Sequence, residues 1–265
     1  FQFLEIFNSG SSTIDLNGVS FSEGITFDYS GSNITSLLPG ERALVVENQA
    51  AFEFRYGAGH PIAGQFGGKL RNEGEQLSLL NSVGDPLRRF VYGTTSPWPA
   101  EPAGNGPSLV LASPFSSPDH SLPSSWAASE LIGGTPGGDN QSLLTFADWA
   151  EVNGVTDPNA DDDGDSLTNL QEFVLLSSPL ASNPSPLDPA KVVNNRLVQE
   201  ITYNLKAGEV LLSAWTSSDL AIWLPAEIGH TIYHGDGTAT TTFRSASSFI
   251  DTPREFIRLQ FSTTP

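Results

Sequence analysis

The chain has 265 residues, 38% of them hydrophobic, with 30 acidic against 12 basic side chains and a formal charge of −18. Its length suits two compact units and a connection between them, and its charge excludes a phosphate-binding face, which needs clustered Lys or Arg. Without Cys there is no disulfide, thiolate catalysis or Cys-ligated zinc, and no apolar run approaches a membrane span.

Gly and Pro punctuate short runs of Val, Ile, Leu, Phe and Thr from the start of the chain, the pattern of a mainly β protein. The opening run Phe1–Ile6 reads as a strand, followed by a turn at Asn8-Ser9-Gly10. Further strands are expected at Thr13–Leu16, Val19–Phe21, Ile25–Phe27, Ala43–Val46, Gln76–Leu80, Arg89–Tyr92 and Ser108–Leu111. Strands recurring about every ten residues argue for a sandwich. The chain has no Met and begins inside an apparent strand, so we expect a piece of a longer protein whose leader lies upstream.

The order of several segments within residues 1–141 resembles a known family. These are Phe3-Leu4-Glu5-Ile6-Phe7-Asn8, Ile14-Asp15-Leu16-Asn17-Gly18, Leu38-Pro39-Gly40 before Ala43–Val46, Leu70–Leu80 and Gly106-Pro107-Ser108-Leu109. Together with Ser125-Trp126 and Gly133-Gly134-Thr135-Pro136-Gly137 they resemble the lamin tail domain in its bacterial form. Val19 departs from the aromatic residue that the family often carries after the glycine. The resemblance implies an immunoglobulin-like β-sandwich used for binding or scaffolding, with no catalytic residue.

Residues 113–141 are rich in Ser, Pro and Gly and are expected to wrap the first sandwich as an ordered tail covering Trp126 and Leu131, a flexible linker being the alternative. The period then changes. Leu143, Phe146, Ala147 and Ala150 recur at helical spacing, and Asn153-Gly154 supplies a stop. Leu167, Leu170 and Val174 repeat the stripe toward Ser177-Ser178-Pro179. Residues 142–180 therefore read as a helix–loop–helix connector, and 181–265 as a linker and a second small β-sandwich. Its strands are expected at Glu200–Leu205, Glu209–Ala214, His230–Tyr233, Ala239–Arg244 and Phe256–Phe261. The runs Thr216–Leu220 and Pro253–Leu259, with Trp223, resemble C-terminal sandwiches of secreted Verrucomicrobia and Planctomycetes proteins.

Between the two helices lies Asp161-Asp162-Asp163-Gly164-Asp165-Ser166-Leu167-Thr168-Asn169-Leu170-Gln171-Glu172. On a twelve-residue EF-hand register it offers Asp161, Asp163 and Asp165 at positions 1, 3 and 5. The Leu167 carbonyl, Asn169 and the Glu172 carboxylate then follow at positions 7, 9 and 12. A hard cation such as calcium takes six to eight oxygens, and its charge also relieves crowded carboxylates. Position 6 is Ser166 where a sharp turn favours Gly; a left-handed non-Gly residue costs on the order of 1 kcal/mol. Starting the register at Asn159 would put Gly164 at position 6 but leave Leu170 at position 12, without a carboxylate. The lead-in Asp157-Pro158-Asn159 resembles thrombospondin type 3 and dockerin-like loops, which leaves open a ligand from Asp157 or Asn159. A solvated acidic turn is the plain alternative. One loop and no Met do not make a sensor, so the expected role is to stiffen the connection between sandwiches.

Other signals are weaker. His230 and His234 are four apart in a β pattern, where that spacing spans about 13 Å. Asp119-His120-Ser121 has triad letters but no nucleophile elbow accompanies it. His60 has no evident partner, and Gly57–Gly68 lacks the Lys of a phosphate loop. Trp98 and Trp223 would serve as structural plugs or as sugar-stacking platforms. The expected function is a non-catalytic extracellular structural or adhesive segment of a secreted bacterial surface protein, rigidified by Ca2+. Its partners would be calcium and other surface proteins or glycans, with no nucleic acid and no membrane insertion. The rival is an accessory region, for targeting or for substrate or glycan binding, of a large secreted enzyme such as a nuclease or spore-coat-type kinase.

Overall fold

A computed structural model describes residues 1–182, 185–250 and 254–263. Asn183 and Pro184 of the expected linker and Pro253 of the closing run lie outside the described residues. The fold is mainly β, with 34% strand against 11% helix. The chain divides into two compact units, Phe1–Gln141 and Ser142–Pro265, and no helix among the described residues is long and apolar enough to cross a membrane.

The first unit contains β1 (Phe3–Phe7), β2 (Ile14–Asp15), β3 (Ser20–Glu23), β4 (Ile25–Asp28), β5 (Ser36–Leu37) and β6 (Arg42–Val46). After α1 (Gln49–Tyr56) come β7 (Ile62–Gln65), β8 (Gly67–Gly68), β9 (Gln76–Leu80), β10 (Pro86–Val91), β11 (Leu109–Leu111) and β12 (Trp126–Ala128). One sheet has the order β1-β6-β7 and a second the order β10-β9-β3-β4-β8. Ala43, Val45 and Ala63 from the first share a core with Phe21, Ile25 and Leu77 from the second. Strand β6 is apolar and buried from Ala43 to Val46, as suits a central strand covered on both faces, and its Ala43 and Val45 point into that core.

One feature was not foreseen. Helix α1 falls in residues 47–57, where no element was expected, and it lets β7 run parallel to β6. Parallel neighbours need a crossover and cannot be joined by a tight hairpin. Asn48 caps the helix by accepting a hydrogen bond from the Ala51 amide (2.8 Å). Phe52 and Tyr56, on its inner face, are buried, and Phe52 sits edge-on to Phe3 at 5.8 Å. The 113–141 segment is held against the first unit as an ordered tail, in line with the expectation. Trp126 stacks on Phe90 (5.3 Å), Leu131 is buried, and Gly137 N–H donates to the Glu5 carboxylate (2.7 Å).

The second unit begins with α2 (Phe146–Asn153) and α3 (Asn169–Leu175). Its strands are β13 (Lys191–Val193), β14 (Arg196–Asn204), β15 (Val210–Ser217), β16 (Leu224–Pro225), β17 (Glu227–Tyr233), β18 (Thr238–Arg244) and β19 (Phe256–Thr263). They form sheets ordered β13-β14-β18-β17 and β16-β15-β19. Ile201 and Phe243 of the first sheet and Ala214 of the second pack with Leu175 of α3. A second cluster joins Phe173 and Val174 to Ala207, Phe146, Trp149 and Val210. The helix–loop–helix is thus built into the core of the unit that carries the C-terminal strands.

The stripe foreseen for α2 is shifted. Leu143 precedes the helix and is exposed, and Ala147 is exposed as well; the inward residues are Phe146, Trp149 and Ala150. The large Trp149 ring meets Phe173 at 5.5 Å, so the helix turns that ring inward in preference to the small Ala147 side chain.

Candidate metal centre

The loop 161–168 is braced by its own carboxylates. Asp161 accepts from the Gly164 amide through Oδ1 (2.8 Å) and from the Ser166 amide through Oδ2 (3.0 Å). Asp163 Oδ1 accepts from Asp165 N–H (3.1 Å), and Asp165 Oδ1 from Leu167 N–H (2.9 Å). Short acidic side chains bond readily to backbone amides two or more residues on, which is why this sequence forms a tight loop and not a helix. The chain then enters α3 through a capping box: the Gln171 amide donates to Thr168 Oγ1 (3.4 Å), and Thr168 N–H donates to Gln171 Oε1 (2.8 Å).

Among the described residues, Asp161, Asp163 and Asp165 form the one group of three or more His, Cys, Asp or Glu that could hold a metal, with ligand atoms within 4.8 Å of one another. Glu172 comes from the first turn of α3 and is completely buried. Burial pushes its carboxyl up to about 7, and the charges of Asp163, Asp165 and Asp161 push in the same direction. The structure therefore brings Glu172 into electrostatic reach of all three aspartates. Asn169, at the first position of α3, is equally buried. Leu167 is half-buried at the close of the loop.

Three buried oxygens here have no hydrogen-bond partner: Asp163 Oδ2, Asn169 Oδ1 and Glu172 Oε2. A buried polar atom without a partner costs about 1–3 kcal/mol, so three in one short segment call for a cause. The donors available are carboxylate, amide and carbonyl oxygens, the set that suits a hard divalent cation. The residues present fit calcium.

Ser166 does adopt a left-handed backbone, with φ 79°, and so does Gly164, also at φ 79°. Ser166→Gly should relieve about 1–2 kcal/mol of strain against about 0.5–1 kcal/mol of added backbone entropy. A slightly raised melting temperature for the second unit is the expected result, read by calorimetry in the presence of calcium.

The residues behind the weaker signals make the following contacts. His60 is held by the Pro136 carbonyl (3.0 Å) and the Tyr56 carbonyl (2.8 Å). His120 Nδ1 meets the Pro118 carbonyl at 2.9 Å, while Asp119 Oδ1 accepts from the Ser121 amide, so these neighbours build a turn. His230 lies on β17; His234, just after it, reaches Thr240 Oγ1 at 3.0 Å. Trp98 packs 6.3 Å from Trp126, and the Arg258 guanidinium covers Trp223 at 4.2 Å. Asp162 was passed over in the register, yet its Oδ2 accepts from Asn169 Nδ2 (2.8 Å). No spacing rule marks such a residue, because the bond depends on how the loop folds back on α3.

No protein-family model matches the chain, and neither a curated protein nor a solved structure is found that is similar to it.

Proposed function

We propose that the Asp161–Glu172 loop binds one calcium ion and that the chain is a non-catalytic, extracellular structural segment of a bacterial surface protein. The observation that carries the calcium reading is the set of buried oxygens without partners, on Asp163, Asn169 and Glu172, beside the Asp161–Asp163–Asp165 group. A cation there would satisfy them together and offset the repulsion that raises Glu172. The ligands are read as Asp161, Asp163, Asp165, the Leu167 carbonyl, Asn169 and Glu172. Glu172 precedes Phe173, Val174 and Leu175, which are all buried in the second unit. Through that continuity the ion would stiffen the attachment of α3 to its sheet.

We read the first unit as an immunoglobulin-like sandwich of the lamin tail type. Support comes from its two-sheet core, while the parallel pairing of β6 with β7 departs from an all-antiparallel arrangement. A surface and secreted setting is in keeping with the cysteine-free acidic composition and with the millimolar calcium found outside cells.

The test is thermal unfolding and limited proteolysis with calcium or with chelator. Chelation should lower the melting temperature and speed cleavage between residues 155 and 180. Superimposable melting curves under both conditions would overturn the reading.

A further inference from the structure

We infer that Asp162, which stands outside the ligand register, is a positioning residue that turns the Asn169 amide so that its oxygen serves the ion; this rests on the calcium reading above. Asn169 is completely buried, and its Nδ2 donates two bonds of 2.8 Å, one to the Asp157 carbonyl and one to Asp162 Oδ2. Both partners are acceptors only. Turning the amide over would set its oxygen against two oxygens, so the chemistry of the neighbours fixes its orientation.

The backbone holds the residue just as firmly. Asn169 N–H donates to the Ala160 carbonyl (2.8 Å) and Leu170 N–H to the Pro158 carbonyl (3.0 Å), tying the first turn of α3 to residues 157–160. With backbone and Nδ2 both committed, Oδ1 is left buried and without a partner, as is Glu172 Oε2. Asp162 itself is exposed and is not one of the three aspartates whose ligand atoms come together. Its carboxylate acts one step removed, as the partners of metal-bound side chains commonly do.

The arrangement reverses what the register alone implies at position 9. An Asp there adds a charge and should tighten calcium. In this loop, Asn169→Asp would place a carboxylate oxygen against the Asp157 carbonyl and the Asp162 carboxylate.

Calorimetric titration of calcium chloride into the full chain tests this with four variants beside the wild type. Asp162→Ala should weaken binding about tenfold, whereas Asp162→Asn, still able to accept through its amide oxygen, should stay near the wild type. Asn169→Asp should weaken binding, and Asn169→Asp with Asp162→Asn should recover part of the loss, because the new amide can donate to the new carboxylate. A general loosening of the loop would produce neither the conservative rescue nor the recovery in the double variant. Wild-type binding with Asp162→Ala unchanged, or tighter binding by Asn169→Asp alone, would overturn the assignment of Asp162 and leave the calcium site standing. Failure of the wild type to bind would overturn both.

Discussion

Phe173→Ala should unfold the second unit at a much lower temperature than the wild type, at a cost of about 3–5 kcal/mol. Phe173 is completely buried, lies 6.0 Å from the Phe146 ring and 5.5 Å from Trp149, and shares its cluster with Ala207 and Val210. Removing the ring leaves a cavity between two helices and a sheet, which a domain of this size collapses only in part. The first unit has a core of its own, in which Leu16, Tyr29 and Phe66 take part. Calorimetry should therefore show one transition moved down and another retained, and calcium affinity should fall with the first. A single unshifted transition would mean that α3 does not depend on this packing.

Glu172 provides the second large effect, and its sign depends on calcium. Its carboxyl is raised to about 7 by burial and then by Asp163, Asp165 and Asp161. A carboxyl raised in the folded state stabilises the fold fully only below its unfolded value, about 4.3, and that contribution is lost as pH climbs through the folded value. In chelator, the wild type should therefore lose stability relative to Glu172→Gln between about pH 4.3 and 8, and melt below it at pH 8. Calcium needs the charged carboxylate. With calcium at about a thousand times its dissociation constant, linkage adds about 4.1 kcal/mol to the wild type, and the order of melting temperatures should reverse at pH 8. Thermal melts at several pH values, with and without calcium, check the crossing.

Much of the β architecture was legible because strands announce themselves locally. The runs at Gln76–Leu80 and Ala239–Arg244 show the alternation and flanking turns that mark half-buried strands, and they are strands β9 and β18. What escaped was organised by distant partners. Helix α1 is eight residues long, and its inward residues Phe52 and Tyr56 make sense only against Phe3 and the Gly133 carbonyl, which Tyr56 reaches at 3.0 Å. The short strands Ser36–Leu37 and Gly67–Gly68 lack enough residues to show a period, and each exists through one pairing with a strand elsewhere.

The candidate site divides along the same line. Asp161, Asp163 and Asp165 are close because of their spacing in a loop, and the sequence displays that spacing directly. The shift of α2 toward Trp149 depends on Phe173, twenty-four positions away, and could not be read from the α2 stripe alone. The bond from Asn169 to Asp162 was hidden for a similar reason: the loop must first fold back onto the start of α3.

The most direct test of the central claim is a calorimetric titration of calcium into the full chain beside its Asp163→Ala and Glu172→Gln variants. Binding of one ion per chain by the wild type, lost in both variants while each remains folded, is the expected result. No saturable heat from the wild type at millimolar calcium, or equal binding by all three proteins, would contradict it.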